Sequence, residues 1–144
     1  MASLPIRWIR VRAYCHATEE EDRVARALEA VCPGGEDHRE VLEGQHGNPI
    51  VHLARRLADA KAIRRTWALW DRAGILSAIR LDVEARTDAD GVLHFRIDKQ
   101  RAFEGRLELA KEEDSVDVQV KIEAYPARAE EIRRVARGLL SEAA

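Results

Sequence analysis

Residues 7 to 16 alternate between two kinds of side chain at every second position. One set is apolar and consists of Ile9, Val11, Ala13 and Cys15. The other set interleaves aromatic and basic side chains: Trp8, Arg10, Arg12, Tyr14 and His16. Because a β-strand sends successive side chains to opposite faces, this segment predicts a strand with one face in a core. The other face would bind phosphates and stack on unpaired bases, or would simply be a soluble surface.

The composition indicates a single soluble, globular domain over residues 1–144. Hydrophobic residues make up 46% of the chain and charged residues 35%, which suits a folded domain with a real core. No run of about 18 apolar residues occurs, so a membrane-spanning helix is not expected. The first residues lack the apolar core and cleavage site of a signal peptide, so we expect a cytoplasmic protein.

The charged residues are segregated along the chain although they nearly cancel. The formal net charge is −2, which argues against binding nucleic acid by bulk positive charge. Basic residues cluster at 7–12, 55–65 and 96–106, and acidic residues at 19–22, 36–43 and 112–117. This pattern permits a local cationic surface and is also found in ordinary surface decoration.

The two cysteines are interpreted as buried apolar residues. Cys15 and Cys32 lack C-x-x-C spacing. Cys15 lies on the apolar side of the first strand, and Cys32 lies at a predicted helix end before Pro33. Packing therefore explains them better than redox or metal chemistry. We expect no metal and no cofactor.

Four segments have helical periodicity. Thr18 and Glu21 form a capping box, which predicts a helix that ends at Pro33. Asp59 can cap a second helix that ends near Gly74. Its apolar side contains Ile63, Trp67 and Trp70, and its basic stripe contains Lys61, Arg64, Arg65 and Arg72. A third helix would bury Ile75, Leu76, Ile79 and Val83, and Pro126 would open the last one.

The remaining segments predict strands. A polar strand at 37–43 leads through a Gly-rich turn at 44–49 into a returning strand at 50–55. Alternating residues then predict an antiparallel meander through Phe95, Leu107–Leu109 and 116–124. The fold class is α+β, with two layers: a mostly antiparallel sheet and the helices packed on one of its faces. If the strands share this sheet, its open face carries Arg10, Arg12, Tyr14, His94, Arg96, Gln119 and Lys121.

Two loops carry polar side chains suited to phosphates and base edges. Lys99, Gln100 and Arg101 follow a strand and form a basic, amide-rich tip. His46 and Asn48 lie in the Gly-rich turn, where they either cap the turn or touch a ligand. Asp98 and Gln100 would also suit hydrogen bonds to the loop backbone.

No motif in the sequence indicates catalysis. His16-Ala-Thr18 fits the H-x-T tripeptide of phosphodiesterases that use two such motifs, but no other histidine is followed by this pattern. Phosphate loops, zinc signatures and nucleophile elbows do not occur. We therefore predict a protein that is not an enzyme.

Four blocks of sequence carry a family resemblance. They span Cys15–Asp22, Gly44–Ile50, Phe95–Ala102 and Val120–Ala127. In this order they resemble an archaeal family of RNA-binding proteins, predicted exosome subunits, that was formerly a domain of unknown function. The resemblance implies a fold similar to ribosomal protein L5 and a cytoplasmic role near RNA processing or the ribosome.

The leading hypothesis is a non-enzymatic RNA-binding protein linked to RNA processing, in association with the exosome, or to ribosome function. The candidate RNA-binding residues are Arg10, Arg12, Tyr14, His16, His46, Asn48, Arg96, Lys99, Gln100 and Arg101. One alternative is an interaction subunit or homodimer that uses the open face, which also carries acidic residues. Another is a phosphodiesterase or nuclease around His16 and His46.

Overall fold

A computed structural model describes residues 3–44 and 47–141. These residues form β1 (Ile6–Cys15), α1 (Glu21–Val31), β2 (Glu36–Glu43), β3 (Pro49–Leu57), α2 (Ala60–Arg72), α3 (Ile75–Ile79), β4 (Val92–Asp98), α4 (Lys99–Phe103), β5 (Ser115–Ile122) and α5 (Ala129–Ser141). None of the helices in this part of the chain has the length and apolar character to cross a membrane.

The strands form one sheet in the order β2-β3-β1-β5-β4. All neighbouring strands are antiparallel, and β1 lies at the centre between β3 and β5. The register places Arg12 of β1 opposite Ala54 of β3 and Asp117 of β5. The predicted α+β class with an open antiparallel sheet is confirmed.

The core lies between one face of the sheet and the helices. Ile9 and Val11 of β1 are fully buried there, as the alternation predicts. Trp70 of α2 is also fully buried, and its ring meets Phe95 of β4 edge-on at 5.2 Å between centroids. The assignment of Trp67 and Trp70 to the core is therefore confirmed. Both cysteines are buried, as expected.

Helix α1 begins later than the capping box predicts. Its N-cap is Glu20, without a side-chain cap, and Thr18 plays no capping role. Residues 16–19 instead form a turn in which the Glu19 amide donates to the His16 carbonyl at 2.9 Å. The Glu19 side chain also accepts a hydrogen bond from the His16 amide. Thr18 therefore lies within this turn and not at the N-cap of the helix.

The predicted meander contains two paired strands and not three. Strand β4 pairs directly with β5, and the segment around Leu109 makes only an isolated bridge to Ile97. The amide of Asp98 donates to the Glu108 carbonyl at 2.8 Å, which closes the outer edge of β4 without a further strand.

The two C-terminal helical predictions also need correction. The third helix is short, since α3 passes into a 3-10 turn at Arg80–Asp82, although its predicted apolar residues are all buried. Pro126 does not open the last helix, because the Arg128 amide donates back to the Pro126 carbonyl in a separate turn. Helix α5 begins at Ala129.

Candidate nucleic-acid interface

The face of the sheet opposite the helices, here called the open face, is built from rows of side chains on neighbouring strands. One row runs through Arg56, Arg10, Gln119 and His94. The next runs through Ala54, Arg12, Asp117 and Arg96. Trp8 and Lys121 precede these rows, and Tyr14 and His52 follow them. The residues predicted to share this face therefore do share it.

Some cations of the open face are paired, and others are not. The Nε atom of Arg12 donates to Asp117 Oδ2 at 2.8 Å, and Lys121 Nζ donates to the Asp90 carbonyl. Arg10 and Arg96 form no ion pair with any of the described residues. The guanidinium groups of Arg10 and Arg96 therefore carry no neutralising partner within the described part of the chain.

A groove of about 550 Å³ lies over β4 and β5, with Arg12, Arg96 and His94 among its lining residues. His94 Nε2 lies 2.8 Å from Asp88 Oδ2. Partial burial raises the pKa of Asp88, but the bonds from His94 and two backbone amides outweigh it and hold this pKa below its usual value. Asp88 is therefore a carboxylate at neutral pH and offsets part of the positive charge in the groove.

Arg10 and Arg56 are directly opposed on β1 and β3. Like charges in this position destabilise a sheet. The Arg56 guanidinium lies over the Trp8 ring at 5.8 Å from its centroid, near the limit of a cation–π contact. Two guanidinium groups therefore lie side by side on the open face, with Glu36 opposite Arg56 on β2.

An aromatic pair lies at the far end of β1. The rings of Tyr14 and His52 are 5.0 Å apart and tilted by 47°. Tyr14 remains 46% exposed. Burial lowers the pKa of His52, and Arg12 and Arg10 lower it further, so His52 is an uncharged ring at neutral pH. This pair offers an exposed aromatic surface beside the arginines.

Lys99 is not placed to contact phosphate, in contrast to the sequence-based expectation. Its side chain is buried, and Nζ donates to the Tyr14 carbonyl at 3.0 Å and to Glu19 and Asp114 at 2.9 Å each. These bonds connect the start of α4 to the end of β1. Because its ammonium has three oxygen partners inside the fold, Lys99 has a structural role.

His16 lies beside the same two carboxylates, with Nε2 3.5 Å from Asp114 Oδ1. The ligand atoms of His16, Glu19 and Asp114 are within 4.8 Å of one another, which is a spacing that suits a metal ion. The Lys99 ammonium bonds to both carboxylates and offsets one of their two negative charges.

Replacing Lys99 with methionine is expected to lower the free energy of unfolding by about 2 kcal/mol. The change removes the charge that holds two carboxylates together, but these are partly exposed, so the loss stays below that of a fully buried pair. Urea unfolding measures it. Arg101→Met is the matched control, because Arg101 is exposed and lies 3.7 Å and 3.8 Å from Glu104 and Glu108. Equal losses in the two variants would contradict the structural role of Lys99.

The other predicted site residues lie beyond the open face. Gln100 and Arg101 are exposed on α4, and Asp98 caps this helix by accepting from the Arg101 amide at 2.8 Å. Asn48 is exposed in the β2–β3 turn, where its carbonyl accepts from the Gly44 amide. Asn48 and the exposed residues of α4 lie at the same end of the sheet, near opposite edges. The usual spacing between strands puts them roughly 15 Å from each other. His46 lies outside the described residues.

Sequence reasoning missed three open-face positions on β3. His52, Ala54 and Arg56 alternate with inward-facing residues. That alternation was visible in the sequence, but only the register with β1 shows that these positions adjoin Tyr14, Arg12 and Arg10.

Comparison with known proteins gives the family. The model of a family described as RNA binding matches residues 8–122, from Trp8 to the end of β5. RNA-binding protein PAB1135 of Pyrococcus abyssi is 30% identical over 140 residues, which is 90% of each chain. Mth689, a DUF54 protein from Methanothermobacter thermautotrophicus, has a TM-score of 0.81 at 36% identity over 94% of this chain and 98% of its own. A UPF0201 protein from Methanococcus jannaschii is similar in fold, with a TM-score of 0.63 at 16% identity over 90% and 92% of the chains. The resemblance found in the sequence is confirmed, and the chain belongs to this RNA-binding family.

Proposed function

We propose that the protein binds RNA on the open face of its sheet and does not act as an enzyme. The observation that carries the proposal is the set of four arginines on this face, Arg10, Arg12, Arg56 and Arg96, of which only Arg12 has an acidic partner among the described residues. Phosphate contacts from arginine supply most of the affinity for nucleic acid, and the exposed Tyr14 adds a stacking surface.

The family supports this proposal over the catalytic alternative. A relative that covers nearly the whole chain is named as an RNA-binding protein. His16 lies among Glu19, Asp114 and Lys99, and no second histidine belongs to this described cluster. A phosphodiesterase that transfers protons between two histidines would need one.

We extend the proposal to a role in RNA processing, in contact with the exosome or the ribosome. This step is supported by the four sequence blocks that resemble the archaeal family. Copurification from nuclease-treated cell extract tests it, because a bound exosome or ribosomal protein would remain after the RNA has been removed.

Replacing Arg10 and Arg96 with alanine together is expected to weaken RNA binding about tenfold near 0.1 M salt. Neither arginine forms an ion pair with any of the described residues, so both are free to hold phosphates. The slope of log affinity against log salt should fall in magnitude by about 1.4, since each phosphate contact on a single strand contributes about 0.7. Fluorescence anisotropy with a labelled RNA measures both quantities.

The matched control is Arg64→Ala/Arg65→Ala on α2. It removes the same charge from the helix layer and leaves the open face intact. We expect a loss of affinity below about twofold. If the control loses as much as Arg10→Ala/Arg96→Ala, or if neither variant is weakened, RNA does not bind at the open face.

A further inference from the structure

Ala54 is a small residue surrounded by large ones on the open face. Its cross-strand partners are Arg12 on β1 and His38 on β2, and its neighbours on the same side of β3 are His52 and Arg56. Ala54 is only 5% exposed, yet it is not part of the hydrophobic cluster beneath the helices. The side chains around it therefore form the walls of a pit with Ala54 at its floor.

The size of this pit suits a small organic group. Its volume is about 410 Å³, within the range of roughly 300–1,000 Å³ that is typical of small-molecule sites. The residues that matter for recognition are Arg10, His38, Glu40, His52 and Arg56. The pit opens on the same surface that holds the proposed phosphate contacts.

The charge of the pit favours an anion at its rim. The opposed guanidinium groups of Arg10 and Arg56 lie on one side, and Glu40 is the single carboxylate among the described lining residues. Desolvation and the fields of Arg12 and Arg10 both lower the pKa of His52. The positive field that acts on His52 would also act on a phosphate.

The other side of the pit offers aromatic rings. His52 lines the pit and contacts the exposed ring of Tyr14 at 5.0 Å between centroids. A base can stack on such a pair only if one of its faces is free. In a duplex both faces are covered by neighbouring base pairs, whereas an unpaired nucleotide can turn its base into a pocket.

We propose that the Ala54 pit takes one unpaired nucleotide of a single-stranded RNA, with its base against Tyr14 and His52 and its phosphate between Arg10 and Arg56. This inference rests on the proposed function and adds the kind of RNA and the pocket that selects it. The cations outside the pit then hold the neighbouring phosphates of the same strand.

Filling the pit tests the inference without removing a charge or a ring. Ala54→Leu should weaken binding of a single-stranded RNA about tenfold or more, the effect of losing one stacked base. Binding of a duplex of the same length should change less than about twofold, because only the strand that enters the pit is affected. Wild-type protein should prefer the single strand. Anisotropy titrations with the two labelled RNAs measure these affinities.

Two further variants make the result interpretable. Ala73→Leu makes the same substitution at an exposed position at the end of α2, outside the open face, and should bind both RNAs as the wild type does. Tyr14→Ala removes the exposed ring and should lose single-strand affinity selectively. Circular dichroism and urea unfolding report whether each variant is folded, and Tyr14→Ala carries the test if Ala54→Leu does not fold.

The outcomes separate the inference from the proposed function. Unchanged single-strand affinity in folded Ala54→Leu overturns the pit, and so does a wild-type preference for duplex. If Arg10→Ala/Arg96→Ala still loses affinity in either case, the open face remains the RNA-binding surface. If the wild-type protein binds neither RNA, the proposed function is wrong, and the proposal of nucleotide binding in the pit is wrong as well.

Discussion

Exchanging Arg10 and Arg56 for glutamate together is expected to reduce RNA affinity about a thousandfold. Each exchange removes a charge-assisted hydrogen bond to phosphate, worth roughly 1.5–3 kcal/mol, and puts a carboxylate in its place. The two residues are directly opposed, so the repulsion acts at one point on the RNA strand. This is the largest change in binding that we expect from any two substitutions on the open face.

The same exchange should leave the stability of the fold nearly unchanged. It replaces one opposed pair of like charges by another, so the repulsion between β1 and β3 is conserved. Glu36, which lies opposite Arg56 on β2, gains a like-charged neighbour at a cost below about 1 kcal/mol. Urea unfolding checks this, and anisotropy at two salt concentrations measures the loss of binding.

Arg64→Glu/Arg65→Glu on α2 is the matched control. It changes the net charge by the same amount at a partly exposed and an exposed position of a helix in the other layer. We expect its effect on RNA affinity to be several tens of times smaller than that of the open-face exchange, because exposed charges beyond a Debye length are largely screened. A comparable loss in both variants would mean that RNA responds to net charge and not to this surface.

The open side of β1 could be predicted because the alternation of its residues is a local property. Once residues 6–15 form a strand, its period of two decides that Arg10 and Arg12 face away from Val11. Asp59 is similar, since its carboxylate accepts from the Ala62 amide at 2.9 Å as a helix cap should. Both outcomes depend on residues within a few positions of one another.

The pit could not be predicted, because it depends on pairing between distant segments. Tyr14 lies opposite His52, and Arg12 opposite Ala54. A shift of this register by one residue would turn His52 and Arg56 toward the helices. The sequence shows the alternation within β3 but not which residues of β1 it meets.

The buried position of Lys99 could not be predicted from the sequence for a similar reason. Lys99 and Arg101 are close in sequence and carry the same positive charge, so a pattern of charges cannot separate them. Lys99 is buried because its partners come from elsewhere in the chain, from Tyr14, Glu19 and Asp114. Arg101 points to the acidic groups of its own segment and stays exposed. Tertiary contacts thus decide which cations remain available to a ligand.

Replacing Trp70 with alanine is expected to lower the free energy of unfolding by about 3–5 kcal/mol, the usual loss for a fully buried large aromatic residue. The Trp70 side chain has no exposed surface, and it packs against Phe95 and Trp67. Its Nε1 donates to the Val31 carbonyl at 2.8 Å, so the substitution leaves both a cavity and an unpaired buried acceptor. Urea unfolding measures the loss.

Two comparisons show whether the cavity and the hydrogen bond both contribute to the Trp70 effect. Trp70→Phe keeps most of the ring but removes the donor, so it should lose less than alanine and still be less stable than the wild type. Leu81→Ala, at a side chain that is 96% exposed, should change stability by less than about 0.5 kcal/mol. A loss below about 1.5 kcal/mol in Trp70→Ala would mean that the core closes over the gap. Phe95, which the Trp70 ring meets edge-on, lies on β4 between His94 and Arg96 of the open face, so this part of the core lies directly beneath the strand that presents Arg96.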